Sequence, residues 1–202
     1  MTTREVGMEE RVVLLDEEGN AIGTASKREV HHESTPLHLA FSCYLFDGAG
    51  SVLVTRRALH KPTWPGVWTN SACGHPAPGE DLAEAVVRRV RQELGVDVHD
   101  LRLALPAFRY QAVMDNGVRE NEMCPVFIAV TSGAVDADPE EVAEAVWEPW
   151  VGFRDAVLTG ARDVSPWCRE QVGLLADVGG DGSFEMVDRG ALPPAARPGR
   201  GR

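Results

Sequence analysis

Glu120 and Glu122 stand two apart in R-E-N-E-M, on a predicted strand, so both carboxylates project from the same face. Two like charges side by side are costly unless a cation or a shared proton lies between them. His31, His38 and His75 could supply the rest of such a centre. If these groups converge, they form a nitrogen- and oxygen-rich donor set suited to a borderline divalent metal such as zinc or manganese. Cys73, two residues before His75, adds a thiol. Each feature has an ordinary alternative. The Glu pair could be a solvated strand face, a histidine is often just a satisfied core or surface residue, as expected for His32, His60 and His99, and a lone cysteine is often an inert buried thiol. Spacing alone does not decide whether the candidates meet.

The elements that must position them are legible around the stretch 64–96. An aromatic loop punctuated by Gly and Pro runs through Cys73-Gly74-His75 into a segment whose Leu82, Val86, Val90 and Leu94 recur at fourfold spacing. That period predicts a helix with one buried face. Upstream, 12–15 reads as a short strand ending in a turn, whereas 21–34 is polar and indistinct. Residues 37–46 and 51–57 flank D-G-A-G and predict a hairpin. A second hairpin is predicted from 107–114 and 118–130 around Asp115-Asn116-Gly117, with Pro125 implying an edge or a bulge. Segments 152–158 and 167–178 read as helices, the second preceded by Ser165-Pro166, an N-cap followed by the fixed φ of proline. Residues 1–178 are therefore expected to form one domain, and the Gly-, Pro- and Arg-rich 179–202 a disordered tail.

Gly74, Glu80, Arg88, Glu93 and Gly95 fit the spacing G-x5-E-x7-R-x4-E-x-G, which resembles the Nudix box. Where a Nudix hydrolase has Glu after the Arg and a Glu-Glu pair before Leu-Gly, this chain has Arg89 and Gln92. Hydrolysis assisted by metals needs several carboxylates, so these changes remove much of that machinery while Arg89 strengthens the grip on a diphosphate. Longer blocks narrow the likeness: L-H-L-A-F at 37–41, T-R-R-A-L at 55–59, W-P-G-V-W-T-N-S-A-C-G-H-P at 64–76, F-R-Y at 108–110, E-N-E-M-C-P-V-F at 120–127 and S-P-W at 165–167. Together they resemble type 1 isopentenyl-diphosphate isomerase over about 12–178.

The resemblance implies an α/β (α+β) Nudix-like sandwich of mixed β-sheets flanked by helices, and it makes the ambiguous 140–150 a strand. It implies an isomerase interconverting isopentenyl and dimethylallyl diphosphate in isoprenoid biosynthesis. Carried over residue by residue, it implies a first metal, Mn2+ or Zn2+, on His31, His38, His75, Glu120 and Glu122. A second, Mg2+, would bridge Glu93 and the diphosphate. Cys73 and Glu122 become the acid–base pair, with Tyr110 beside Glu122. Trp167 becomes the aromatic face for a developing cation. Lys27 and Lys61, the chain's only lysines, join Arg57 and Arg89 as diphosphate contacts.

Composition narrows the rest. A net charge of −11 with no sustained basic stripe argues against a nucleic-acid partner. No apolar run approaches the roughly 20 residues needed to span a bilayer, and 1–10 lacks a signal-peptide core, so no membrane role and a cytoplasmic location are expected. Cys43, Cys73, Cys124 and Cys168 show no C-x-x-C spacing and read as free thiols. No obligatory protein partner is implied. A nucleotide diphosphohydrolase and a non-catalytic diphosphate sensor are the competing readings. Arg89 and Gln92 oppose the first, and the retained Cys73 and Glu122 oppose the second.

Overall fold

A computed structural model describes residues 10–197. The chain forms β1 (Arg11–Leu15), β2 (Ala21–Ser26), β3 (His38–Leu39), β4 (Phe41–Phe46), β5 (Ser51–Arg57), β6 (Trp68–Thr69), β7 (Ala72–Gly74), then helix α1 (Leu82–Leu94). After it come β8 (His99–Leu105), β9 (Arg109–Val113), β10 (Arg119–Met123), β11 (Val126–Val130), β12 (Val142–Pro149), α2 (Trp150–Leu158) and α3 (Pro166–Gly179). One mixed sheet runs β2-β1-β3-β10-β9, and a second runs β12-β5-β4-β11-β8 with β6 and β7 attached.

Both long predicted strands break, and the breaks make the fold. The run 37–46 splits at Ala40 into β3 of the first sheet and β4 of the second. Likewise 118–130 splits at Cys124-Pro125 into β10 and β11. The two crossings lie side by side: Ala40 N donates to Met123 O (2.9 Å) and Ser42 N to Pro125 O (3.1 Å). Pro125, which has no N–H to offer a ladder, therefore marks a change of sheet rather than an edge or a bulge within one strand.

The predicted hairpin of β4 and β5 is a fork. The two strands touch at Phe46 and Val52, then diverge, and β7 pairs with β4 while β6 pairs with β5. The aromatic loop thus enters the gap between the prongs and carries Cys73 with it. β4 is buried on both faces, which fits its apolar sequence F-S-C-Y-L-F. Phe41, Cys43 and Leu45 belong to a core shared with α1, and Tyr44 and Phe46 to a core shared with α2 and α3.

Helix α1 is fixed at both ends. Asp81 caps its start, accepting from Ala83 N and Glu84 N (2.9 and 3.3 Å). Gly95 ends it in the left-handed region (φ 67°), and a Cβ there would stand 2.7 Å from Asp136 O. Leu82, Val86, Val90 and Leu94 are at most 1% exposed, as their spacing predicts, and burying each contributes about 1.5–3 kcal/mol.

The expectation of a disordered tail from Gly179 does not hold for the described residues up to 197. Phe184 is 4% exposed and packs on Trp150 and Phe46, and Leu192 is fully buried. Val187 N donates to Leu103 O and Ala195 N to Gly19 O (2.9 and 3.0 Å). Arg189 grips the Asp81 carboxylate through both oxygens (2.8 and 2.7 Å), so this strap braces the N-cap of α1. A few isolated apolar residues anchor it without any period for a pattern search to detect. Residues 198–202 of the expected tail lie outside the described residues.

Candidate active site

A cavity of about 800 Å³ opens where the two sheets meet. Its first wall is built by register. Parallel pairing sets Glu122 of β10 beside His38 of β3, and antiparallel pairing sets it opposite Tyr110 of β9. Glu120 and Glu122 share one face, as their spacing predicts, and each is 6% exposed. His31, from the loop after β2, and His75, just past β7, complete a cluster with His38 and Glu122 whose candidate donor atoms all lie within 4.8 Å of one another.

This cluster is shaped for a cation. The Nε2 atoms of His31, His38 and His75 stand 3.9, 3.3 and 3.1 Å from Glu122 Oε1. His38 Nδ1 lies 2.9 Å from Pro36 O; donating there leaves the Nε2 lone pair facing the carboxylate oxygen. The Nε2 atoms of His31 and His38 are buried without a hydrogen-bond partner. A divalent metal satisfies such lone pairs, so the donor set fits one. Burial lowers His75 to about 4, keeping it a neutral ligand near pH 7.

Glu120 lies apart from those four donors and meets Tyr110 instead. The Tyr110 hydroxyl is 2.7 Å from Glu120 Oε2 and 2.9 Å from Glu122 Oε2, and it has one hydrogen for two carboxylates. One carboxyl must hold a second proton. Burial and the neighbouring Glu122 raise Glu120, whereas the histidines draw Glu122 well below the usual carboxylate range against the effect of its burial. A proton therefore sits on the Glu120 side of a Glu120–Tyr110–Glu122 chain.

Cys73, set beside Ser42 by the β4–β7 register, and Trp167, from the first turn of α3, also line the cavity. Burial pushes the Cys73 thiol up to about 11. Trp167 packs edge-on to Trp64 and against Tyr110, with ring centroids 5.6 Å apart in both pairs. Ser165 caps α3 through Cys168 N (3.3 Å), which fixes where Trp167 enters the cavity.

Cations also line the cavity. Arg89 and Glu93, one helical turn apart on α1, form an ion pair of 2.6 Å, and Arg89 also reaches Glu141 at 3.0 Å. Lys61 pairs with Glu141, and Lys27 with Glu10 (2.5 Å). Arg57 donates to Thr63 O through Nε and Nη2 (3.2 and 2.9 Å). Lys27, Arg57, Lys61 and Arg89 all face the cavity. Burial raises the Glu93 carboxyl despite Arg89. Gly74 makes the approach of α1 possible, since a Cβ there would stand 3.0 Å from Arg89 Cγ and 2.9 Å from Phe41 Cζ. Of the two departures from the hydrolase box, Arg89 faces the cavity whereas Gln92 is exposed.

The NUDIX domain family model matches residues 36–168. Isopentenyl-diphosphate Delta-isomerase of Saccharopolyspora erythraea is 55% identical over 188 residues, covering 93% of this chain and 97% of the relative. The protein of the same name from Mycolicibacterium vanbaalenii is 61% identical over 170 residues, covering 84% and 93%. The chain belongs to the isopentenyl-diphosphate Delta-isomerase family. A crystal structure from Deinococcus radiodurans shares the fold of this isomerase at TM-score 0.63 and 18% identity, covering 81% of this chain and 98% of that one. The MutT protein from Methanosarcina mazei Go1 matches at TM-score 0.53 and 20% identity, covering 68% and 91%. No helix of the isomerase among the described residues is long and apolar enough to cross a membrane.

The expected site residues all line the cavity except His38, which is buried behind it within the histidine cluster. Three participants were not expected. Glu141 pairs with both Lys61 and Arg89, but in D-P-E-E it looks like a solvated charge run. Glu10 sits in a charged N-terminal stretch that has no period. Asn70 bonds to Cys73 and Trp167 at once, and its only signal is a polar amide in the middle of a block otherwise read for its Cys and His.

Proposed function

We propose that this chain converts isopentenyl diphosphate to dimethylallyl diphosphate, and the reverse, by proton exchange with groups that line one cavity. The terminal alkene carbon gains a proton, positive charge develops at the branched carbon, and the adjacent methylene loses a proton. The observation that supports this reading is that a proton-bearing carboxyl chain, Glu120–Tyr110–Glu122, and the Cys73 thiol line the same cavity. A binding module needs no such pair, and proton transfer on two faces of a flat fragment does.

Glu122, fed through Tyr110, delivers the proton to the terminal carbon, and Cys73 takes one from the methylene. The carboxyl chain already carries the proton to be delivered, on its Glu120 side, whereas the Cys73 thiol has to lose its own proton before it can take one from the methylene. Trp167 offers a π face to the developing cation and no nucleophile to trap it. Lys27, Arg57, Lys61 and Arg89 hold the diphosphate, the lysines and Arg89 exchanging carboxylate partners, and Arg57 its Thr63 contacts, for phosphate oxygens.

His31, His38, His75 and Glu122 would hold Mn2+ or Zn2+, Glu120 joining as a fifth donor only once it has passed on its proton, and Glu93 would hold Mg2+ on the diphosphate side. Such ions would neutralise charge and polarise the carboxyl group beside them. The isomerase acts in the cytoplasm on a small diphosphate and needs no nucleic acid, membrane or obligatory protein partner.

Turnover in heavy water tests the reading. Deuterium should enter a methyl group of dimethylallyl diphosphate with no phosphate released. Stoichiometric release of phosphate without rearrangement would overturn it in favour of hydrolysis.

A further inference from the structure

Between β6 and β7, in the fork of β4 and β5, Asn70 is 1% exposed and fully engaged. Its Nδ2 donates to Ala72 O (2.8 Å) and Cys43 O (3.2 Å), and these two carbonyls fix which end of the amide is oxygen. Its Oδ1 has three neighbours that can donate: Thr69 Oγ1 at 2.9 Å, Trp167 Nε1 at 3.1 Å and Cys73 Sγ at 3.2 Å. Thr69 has an alternative acceptor in Ser165 Oγ (2.8 Å), which frees both Oδ1 lone pairs for Trp167 and Cys73. The indole N–H of Trp167 has no other partner among the described residues.

Cys73 is held from a second side. Ser42 Oγ lies 3.4 Å from Cys73 Sγ and accepts from Gln171 Nε2 (2.9 Å), and Gln171 Oε1 accepts from the Tyr44 hydroxyl (3.0 Å). This buried relay fixes the sulfur from behind. Among the described residues only Asn70, however, joins the sulfur to the indole, and it reaches the indole across 97 positions of chain.

We infer that Asn70 is a positioning residue for the isomerisation, one that holds the Cys73 sulfur and the Trp167 ring in a fixed relation through a single shared oxygen. The inference rests on the proposed roles of Cys73 and Trp167. Those groups act on neighbouring carbons of one substrate, one by exchanging a proton and one by facing the charge, so their spacing matters more than either position alone. Asn70 is not among the cations on the diphosphate side, so its loss acts on turnover and leaves binding in place.

The test is a double-mutant cycle on the metal-loaded, full-length chain. Asn70→Ala should lower kcat on isopentenyl diphosphate by about 10- to 100-fold with KM within about threefold of wild type. In a Trp167→Phe background, which already lacks the indole N–H, the same substitution should cost several-fold less, because one of the two tethers is gone. Purely additive effects, or an unchanged kcat in Asn70→Ala, would overturn the inference. Should Asn70→Ala fail to fold, replacing Trp167 with benzothienylalanine deletes only the N–H donor while keeping the ring. Full turnover by that protein overturns the inference, and a fall in kcat at constant KM supports it. Absence of isomerisation by the wild-type chain would instead sink the proposed function itself, so the two failures are distinct.

Discussion

Tyr110→Phe removes one hydroxyl and leaves the aromatic ring in place. The ring stacks on Phe108 (centroids 5.9 Å apart, planes at 21°) and packs on Trp167, and Phe preserves both contacts. What disappears is the oxygen 2.7 Å from Glu120 and 2.9 Å from Glu122. A hydrogen bond to a charged group contributes about 1.5–3 kcal/mol. At 1.36 kcal/mol per tenfold change in rate, losing it where the proton is handed over should lower kcat by about 10- to 150-fold. Without the hydroxyl the two buried carboxylates also face each other with less screening, so metal content has to be measured beside activity. The assay is steady-state isomerisation of isopentenyl diphosphate, with thermal unfolding as the control for packing. KM should change little, because Tyr110 is not one of the diphosphate contacts. A folded, metal-loaded Tyr110→Phe with kcat within threefold of wild type would refute the proton chain.

Further outcomes follow from the same geometry. Cys73→Ser should lower kcat by about 10²–10⁴-fold, the range for losing a general acid or base, whereas Cys43→Ala should act on stability and spare turnover. The contrast is read from kcat and unfolding midpoints measured on both proteins. His38→Ala should abolish the thermal stabilisation that Mn2+ or Zn2+ gives the wild-type chain, a shift of about 2.7 kcal/mol at a hundredfold excess over Kd. An unaltered shift would remove His38 from the metal site. Asp81 links stability to pH. Burial would raise its carboxyl, but Arg189 and the α1 amides bring it below its ordinary 3.8. A depressed folded pKa gives stability that is present above 3.8 and lost as pH falls through the folded value. Arg189→Met should therefore be less stable than wild type at pH 7, and the urea midpoints should converge in the acid range below 3.8. Equal gaps at pH 7 and in acid would show that the Arg189–Asp81 pair is not the cause.

How much of this was legible depends on whether the signal is local. Helix α1 was visible because Leu82, Val86, Val90 and Leu94 repeat along one face, and the Glu120/Glu122 pair because strand alternation is equally local. The breaks at Ala40 and Cys124 were not visible. An apolar run that is buried throughout looks the same whether it stays in one sheet or crosses into another, and only the parallel partner strand, 80 or so residues away, decides. β8 was missed as an element, although Leu101 and Leu103 alternate with polar residues there. The identities of the site residues could be read from blocks of sequence, whereas their convergence depends on three pairings: β3 with β10, β9 with β10, and β4 with β7. Asn70 and Glu141 act by touching two distant groups at once, and no spacing rule encodes that.

The strap of residues 184–197 also has a bearing on how the molecule is made. Synthesis runs from the N-terminus, and domains tend to fold as their segments emerge. The segments bearing Cys73, His75, Glu93 and Glu122 leave the ribosome well before Arg189, which locks Asp81, and Ala195, which bonds to Gly19 in the first hairpin. A nascent chain therefore holds every reactive group while the cap of α1 lacks its brace and Leu192 has yet to fill its place in the core. A segment translated late closes onto one translated early, so the bracing of α1 waits until residues 184–197 have emerged.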